Sequence, residues 1–115
     1  MKILIHGKTV TEWNNCWKPI GILDSADLSK LKGVFGLYRF KDPKGNVICF
    51  GCATESGRGL EKRITDFRRS SNSARDYKNG KYIYDHRDIV STEVICIGAT
   101  QDAQEITSEL KEAMK

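Results

Sequence analysis

Val34-Phe35-Gly36-Leu37-Tyr38-Arg39-Phe40-Lys41, then Asp42-Pro43-Lys44-Gly45-Asn46, then Val47-Ile48-Cys49-Phe50-Gly51-Cys52 decides the fold of this chain. Two short apolar runs flank a cluster of turn formers, so the stretch predicts a β-hairpin. Ser56-Gly57-Arg58-Gly59 follows and opens a basic amphipathic helix over 59–69, with Leu60, Ile64 and Phe67 at i, i+4 and i+7 on its buried side. Further on, 70–80 is polar and reads as an exposed loop. Residues 81–88 form a short helix or turn presenting Tyr82, Tyr84 and His86. The β-branched run 92–97 supplies a third strand, and 102–114 closes as a helix with Ala103, Ile106, Leu110, Ala113 and Met114 inward.

Upstream of the hairpin the signals are shorter. Residues 2–6 alternate weakly and predict a small strand that turns at Gly7-Lys8. Trp13 and Trp17, four apart, share one face of a helix and pack. Pro19 ends that segment. Asp24 or Ser25 caps a short helix through Leu31, which Gly33 terminates. Three strands among helices, the first two paired as a hairpin, give an α+β domain with a small three-stranded antiparallel sheet flanked by helices. At 115 residues the chain is one domain, with 1–32 as an N-terminal extension and 33–115 as the core.

Composition narrows the setting. No apolar run approaches the roughly 18 residues of a membrane span and no signal-peptide pattern is present, so no membrane partner and a cytoplasmic location are expected. Net charge is +4, unevenly spread: residues 58–87 hold nine Lys or Arg against four acids, which puts +5 there and −1 on the rest. That basic middle points to an anionic partner, DNA first. Four cysteines stand at 16, 49, 52 and 96. The Cys49-Phe50-Gly51-Cys52 spacing lacks the second close pair of a structural zinc site. Strand alternation would also send Cys49 and Cys52 to opposite faces. Unpaired, mostly buried thiols are expected.

The hairpin and its helix resemble the GIY-YIG nuclease family over residues 33–100. Gly36-Leu37-Tyr38 matches the first motif, Cys49-Phe50-Gly51 falls on the second, and Leu60-Glu61-Lys62-Arg63-Ile64 falls on the arginine-bearing helix. The resemblance implies a metal-dependent DNA endonuclease. Tyr38 would act on the attacking water, Arg63 would steady the phosphate, and a helix glutamate would hold one Mg²⁺ or Mn²⁺ ion. The chemistry is coherent. A tyrosine with a pKa near 10 needs adjacent positive charge to serve as a base, and a guanidinium fork matches phosphate oxygens. Arg63 lies about 60° from the centre of its helix's apolar face, at the border between core and solvent.

Glu109 is the expected metal ligand, since it stands about 90° from the apolar centre of the last helix, nearer than Glu105 or Glu112. The family's usual register would instead set Lys111 in that role, and lysine cannot bind Mg²⁺. The second-motif tyrosine is replaced by Cys49, and the position four after Arg63 is Phe67. Arg58, Lys62, Arg68, Arg69 and Arg75 are the expected nucleic-acid contacts. The leading expectation is therefore an endonuclease of weakened activity. The alternative is the same fold with a decayed site, binding DNA, a protein partner or a second copy without cutting.

Overall fold

The computed structural model describes residues 4–5, 7–54, 59–69 and 79–114. Arg58 and Arg75, the Ser56-Gly57 approach to the basic helix and most of the polar 70–80 segment lie outside them. In chain order come β1 (Leu4–Ile5), β2 (Lys8–Thr9), α1 (Val10–Asn14), β3 (Lys18–Ile22), a 3₁₀ turn (Ser29–Leu31), β4 (Phe35–Lys41), β5 (Val47–Ala53), α2 (Gly59–Arg68), α3 (Gly80–Asp85), β6 (Ser91–Gly98) and α4 (Gln101–Ala113).

The expected hairpin is β4 and β5, paired Gly36↔Ala53 through Phe40↔Cys49. Asp42 holds its turn with Oδ1, which accepts from the backbone N–H of Lys44 and Asn46. β6 pairs antiparallel with the other side of β4. The sheet, however, has four strands rather than three, in the order β3-β6-β4-β5. The strand missing from the sequence reading is β3, where Pro19 looked like a stop. On the outer edge a proline forfeits no ladder bond. A bulge between Pro19 and Gly21 takes up the irregularity, with Gly21 at φ 109°.

The predicted helix running to Leu31 is also corrected. After β3 the chain turns, with Ala26 N–H donating to Ile22 C=O, and only Ser29–Leu31 makes a 3₁₀ turn. Its apolar side chains still reach the core: Leu23, Ala26, Leu28 and Leu31 are all buried. α1 is a single capped turn in which Thr9 and Glu12 bond each other's backbone N–H groups. Trp17 falls beyond it, yet both tryptophans pack against the same cluster as expected.

Alternation along the strands builds two cores, one on each face of the sheet. On one side Tyr38, Phe40, Cys49, Ala53 and Val94 meet Leu60, Ile64 and Phe67 of α2 and Ile83 of α3. On the other, Leu37 and Ile95 meet Leu110 of α4 and Trp13 of α1, with Phe50, Cys52 and Ile106 against them. Cys49 and Cys52 thus lie on opposite faces. All four thiols are free, but Cys49 alone is buried, which corrects the expectation of mostly buried thiols. Burial pushes the Cys49 thiol up to about 11. α2 starts where only glycine fits. Gly59 sits at φ 59°, a Cβ there would strike the Val34 backbone, and the next N–H, from Leu60, donates to Val34 C=O. Among the described residues no helix is long and apolar enough to cross a membrane.

Candidate nucleic-acid interface

The ladder sets Tyr38 opposite Gly51, so the two motif segments are cross-strand neighbours. The ring lies over that glycine, and a Cβ added at Gly51 would run into the phenol oxygen. Tyr38 is 0% exposed. Its ring packs at 5.6 Å from Phe40 and 5.8 Å from Phe67, whose own rings are 4.7 Å apart. The phenol that the resemblance casts as acting on water is therefore enclosed in the core. The small residue across the ladder admits the ring, and α2 then closes over it.

Arg63 shares that side of the sheet. It is half-buried on α2, its Nε shut off from solvent, beside the fully buried Ile64. Glu109 does not join them. It is exposed on α4, the helix whose Leu110 packs on the opposite core. The sheet stands between the phenol and this carboxylate, so Tyr38, Arg63 and Glu109 are not brought together. Glu105 and Glu112, on the same helix, are exposed as well. Among the described residues no group of three or more His, Cys, Asp or Glu side chains could hold a metal ion. These residues do not fit the single Mg²⁺ or Mn²⁺ ion that the resemblance implies. Cys49, at the second-motif position, is a packed thiol held neutral by its burial.

No protein-family model, curated protein or solved structure matches the chain. The functional reading therefore rests on the molecule's own geometry.

That geometry gathers cations around α2. Lys62 is half-buried and pairs with Asp66 one turn on, at 3.3 Å. Arg69 is exposed just past the helix end. Arg68 turns inward: its Nε donates to Leu23 C=O at 3.0 Å and Nη2 to Ala26 C=O at 2.6 Å. It pins the turn after β3 onto α2, and so is a brace as well as a surface charge. Beside it, a cleft of about 380 Å³ opens between the 3₁₀ turn and α2, lined by Leu28, Ser29, Lys32, Glu61, Thr65, Arg68 and Arg69.

Sequence reasoning missed the Ser29 and Lys32 wall of this cleft because 24–31 read as a capped helix. The available signal was Lys30-Leu31-Lys32, one buried leucine between two exposed cations. It also missed a charged network on the other face. Arg39 Nε donates to Glu93 at 2.6 Å, Lys41 Nζ lies 3.3 Å from the same oxygen, and the Arg39 guanidinium sits 4.3 Å from the Trp17 ring centroid. Burial drives the Glu93 carboxyl up, but the bonds from Arg39 and Lys41 more than offset it and hold the group below its ordinary value.

Proposed function

We propose that this chain is a nucleic-acid-binding module on a GIY-YIG-like fold, one that grips backbone phosphate along α2 and has lost the family's cutting apparatus. One observation supports this reading above the rest. Exposed Arg69 and half-buried Lys62 lie on the outer side of α2 with Arg63 at its border with the core, while the phenol that cleavage would need is packed at 0% exposure beneath it. Arginine and lysine hold phosphate by charge and by hydrogen bonds, and neither needs a metal or a base to do so. Cleavage needs all its parts within reach of one phosphorus atom, and here the carboxylate helix lies across the sheet.

The endonuclease reading keeps one supporting observation, the pairing of Tyr38 with Gly51 that sets the two motifs side by side. A single preparation separates the two. Duplex DNA is titrated at several salt concentrations, and supercoiled plasmid is incubated with Mg²⁺ and with Mn²⁺. The binding module predicts intact plasmid and a log affinity that falls linearly with log salt, with a slope of about −0.9 per phosphate contacted. Nicking that disappears in Tyr38→Phe would restore the endonuclease. Failure to bind DNA even at low salt would end the nucleic-acid reading and leave a protein partner or a second copy.

A further inference from the structure

We propose that the cleft between the Ser29–Leu31 turn and α2 is a phosphodiester-binding site, with Arg68 as its fixed charge and Lys32 and Arg69 as its two jaws. The proposal rests on the nucleic-acid reading above and locates where the backbone sits. It concerns a different feature from the motif residues, because one wall belongs to the N-terminal extension, outside the stretch that carries the resemblance.

Charge comes first. Three cations line the cleft, Lys32, Arg68 and Arg69, against one acid, Glu61, which already accepts from the Thr65 hydroxyl at 3.4 Å. Size agrees. At about 380 Å³ the cleft lies at the small end of ligand sites, about 300–1,000 Å³, and buried Leu28 and Thr65 help to floor it. Arg68 is also preorganised. A guanidinium has five N–H donors. The bonds to Leu23 C=O and Ala26 C=O use two of them and fix the plane of Arg68, leaving further donors in a group that lines the cavity. A cation immobilised in the free protein forfeits little entropy on binding.

The walls are fixed as well. Asp27 Oδ1 accepts from Ser29 N–H at 3.0 Å and shapes the turn. Glu61, Thr65, Arg68 and Arg69, at i, i+4, i+7 and i+8, make one stripe of α2 facing it. Lys32 and Arg69 are exposed at the mouth, free to close on a strand laid across it.

The test uses the full chain and a short duplex oligonucleotide. Lys32→Ala combined with Arg69→Ala removes both jaws without touching the brace, and a thermal melt verifies folding. Lys44→Ala combined with Lys81→Ala removes the same charge elsewhere on the surface. The cleft variant should lose at least about tenfold in affinity at low salt, and its salt slope should shrink by about two. The control pair should bind within about threefold of wild type. Amide shifts at Ser29, Lys32 and Thr65 on titrating the duplex into wild type should report contact. Equal affinity and slope in the cleft variant, with wild-type binding intact, would overturn the cleft and leave the nucleic-acid reading standing. A wild type that binds no duplex would overturn both. Shifts produced by inorganic phosphate alone, with affinity for the duplex unchanged in the cleft variant, would mark a free-anion site and also overturn the proposal.

Discussion

The two faces of the sheet are made from alternate residues of the same strands, yet they present opposite charge to solvent. α2, over the Tyr38 face, carries three cationic and two acidic residues, with Arg69 beyond its end. α4, over the Leu37 face, carries one cation and four acids. Their cores are similar in kind, each a strand residue fully buried under a helix leucine. The difference is what each helix does with its outer side. With Arg69 the first is net positive and the second net negative, and Glu109, the carboxylate that the resemblance casts as a metal ligand, belongs to the second. The division is one of balance, since α2 also carries Glu61 and Asp66 and the α4 face holds Arg39 and Lys41 around Glu93.

The largest test of that division is to empty each side in turn. Phe67 touches both Tyr38 and Phe40, so Phe67→Ala should cost about 3–5 kcal/mol in urea unfolding. Leu110→Ala should cost about 2–5 kcal/mol from the other side. In the folded fraction, DNA affinity should fall only for Phe67→Ala, because only that change loosens α2. Equal losses of affinity from both would break the comparison.

Which parts of this division could be read from the chain follows from how local each signal is. The hairpin announces itself through Asp42-Pro43-Lys44-Gly45-Asn46, and α2 through Leu60, Ile64 and Phe67, since both patterns need only neighbours in sequence. β3 hides because Pro19 and Gly21 break its alternation, and only its place at the edge of the sheet makes them harmless. The site failed for a similar reason. Alternation says that Leu37 and Tyr38 face opposite ways. It does not say which helix covers which face, because that depends on how the chain crosses over. The cations of α2 were legible. That Glu109 would stand on the far side, and that Ser29 and Lys32 would close a cleft, were not.

A middle-sized effect probes the α4 face. Glu93 is held by Arg39 and Lys41 with side-chain exposures of 15%, 18% and 26%. Glu93→Gln keeps the shape and removes the charge, so it should cost about 1–3 kcal/mol near neutral pH. The folded carboxyl titrates below its ordinary value of 4.5. Its stabilisation is therefore complete above that value and disappears as pH falls through the lowered folded one. Wild type and variant should differ in urea midpoint at about pH 7 and converge in acid. DNA binding should be unaffected, which separates this network from the α2 face. A gap that persists undiminished in acid would assign the cost to packing.

The smallest expected effect carries the most meaning for function. Tyr38→Phe removes one hydroxyl from a ring enclosed by Phe40, Phe67 and the Gly51 backbone. Removing a single neutral hydrogen-bonding group typically changes stability by about 1 kcal/mol, and nothing at the α2 surface should register it. Duplex affinity should stay within about twofold of wild type, with the same salt slope. A phenol acting on water would behave otherwise: its loss would leave binding alone and cut a measurable nicking rate by about 10²–10⁴. The two expectations differ only in the plasmid assay with Mg²⁺ or Mn²⁺, so that assay must accompany the melt. If wild type nicks and Tyr38→Phe does not, α2 must lift from the sheet far enough to admit a phosphate. The seal made by Phe67 would then be a gate, and the contrast between a binding face and an inert one would have to be redrawn as one between a closed and an open state of the same face.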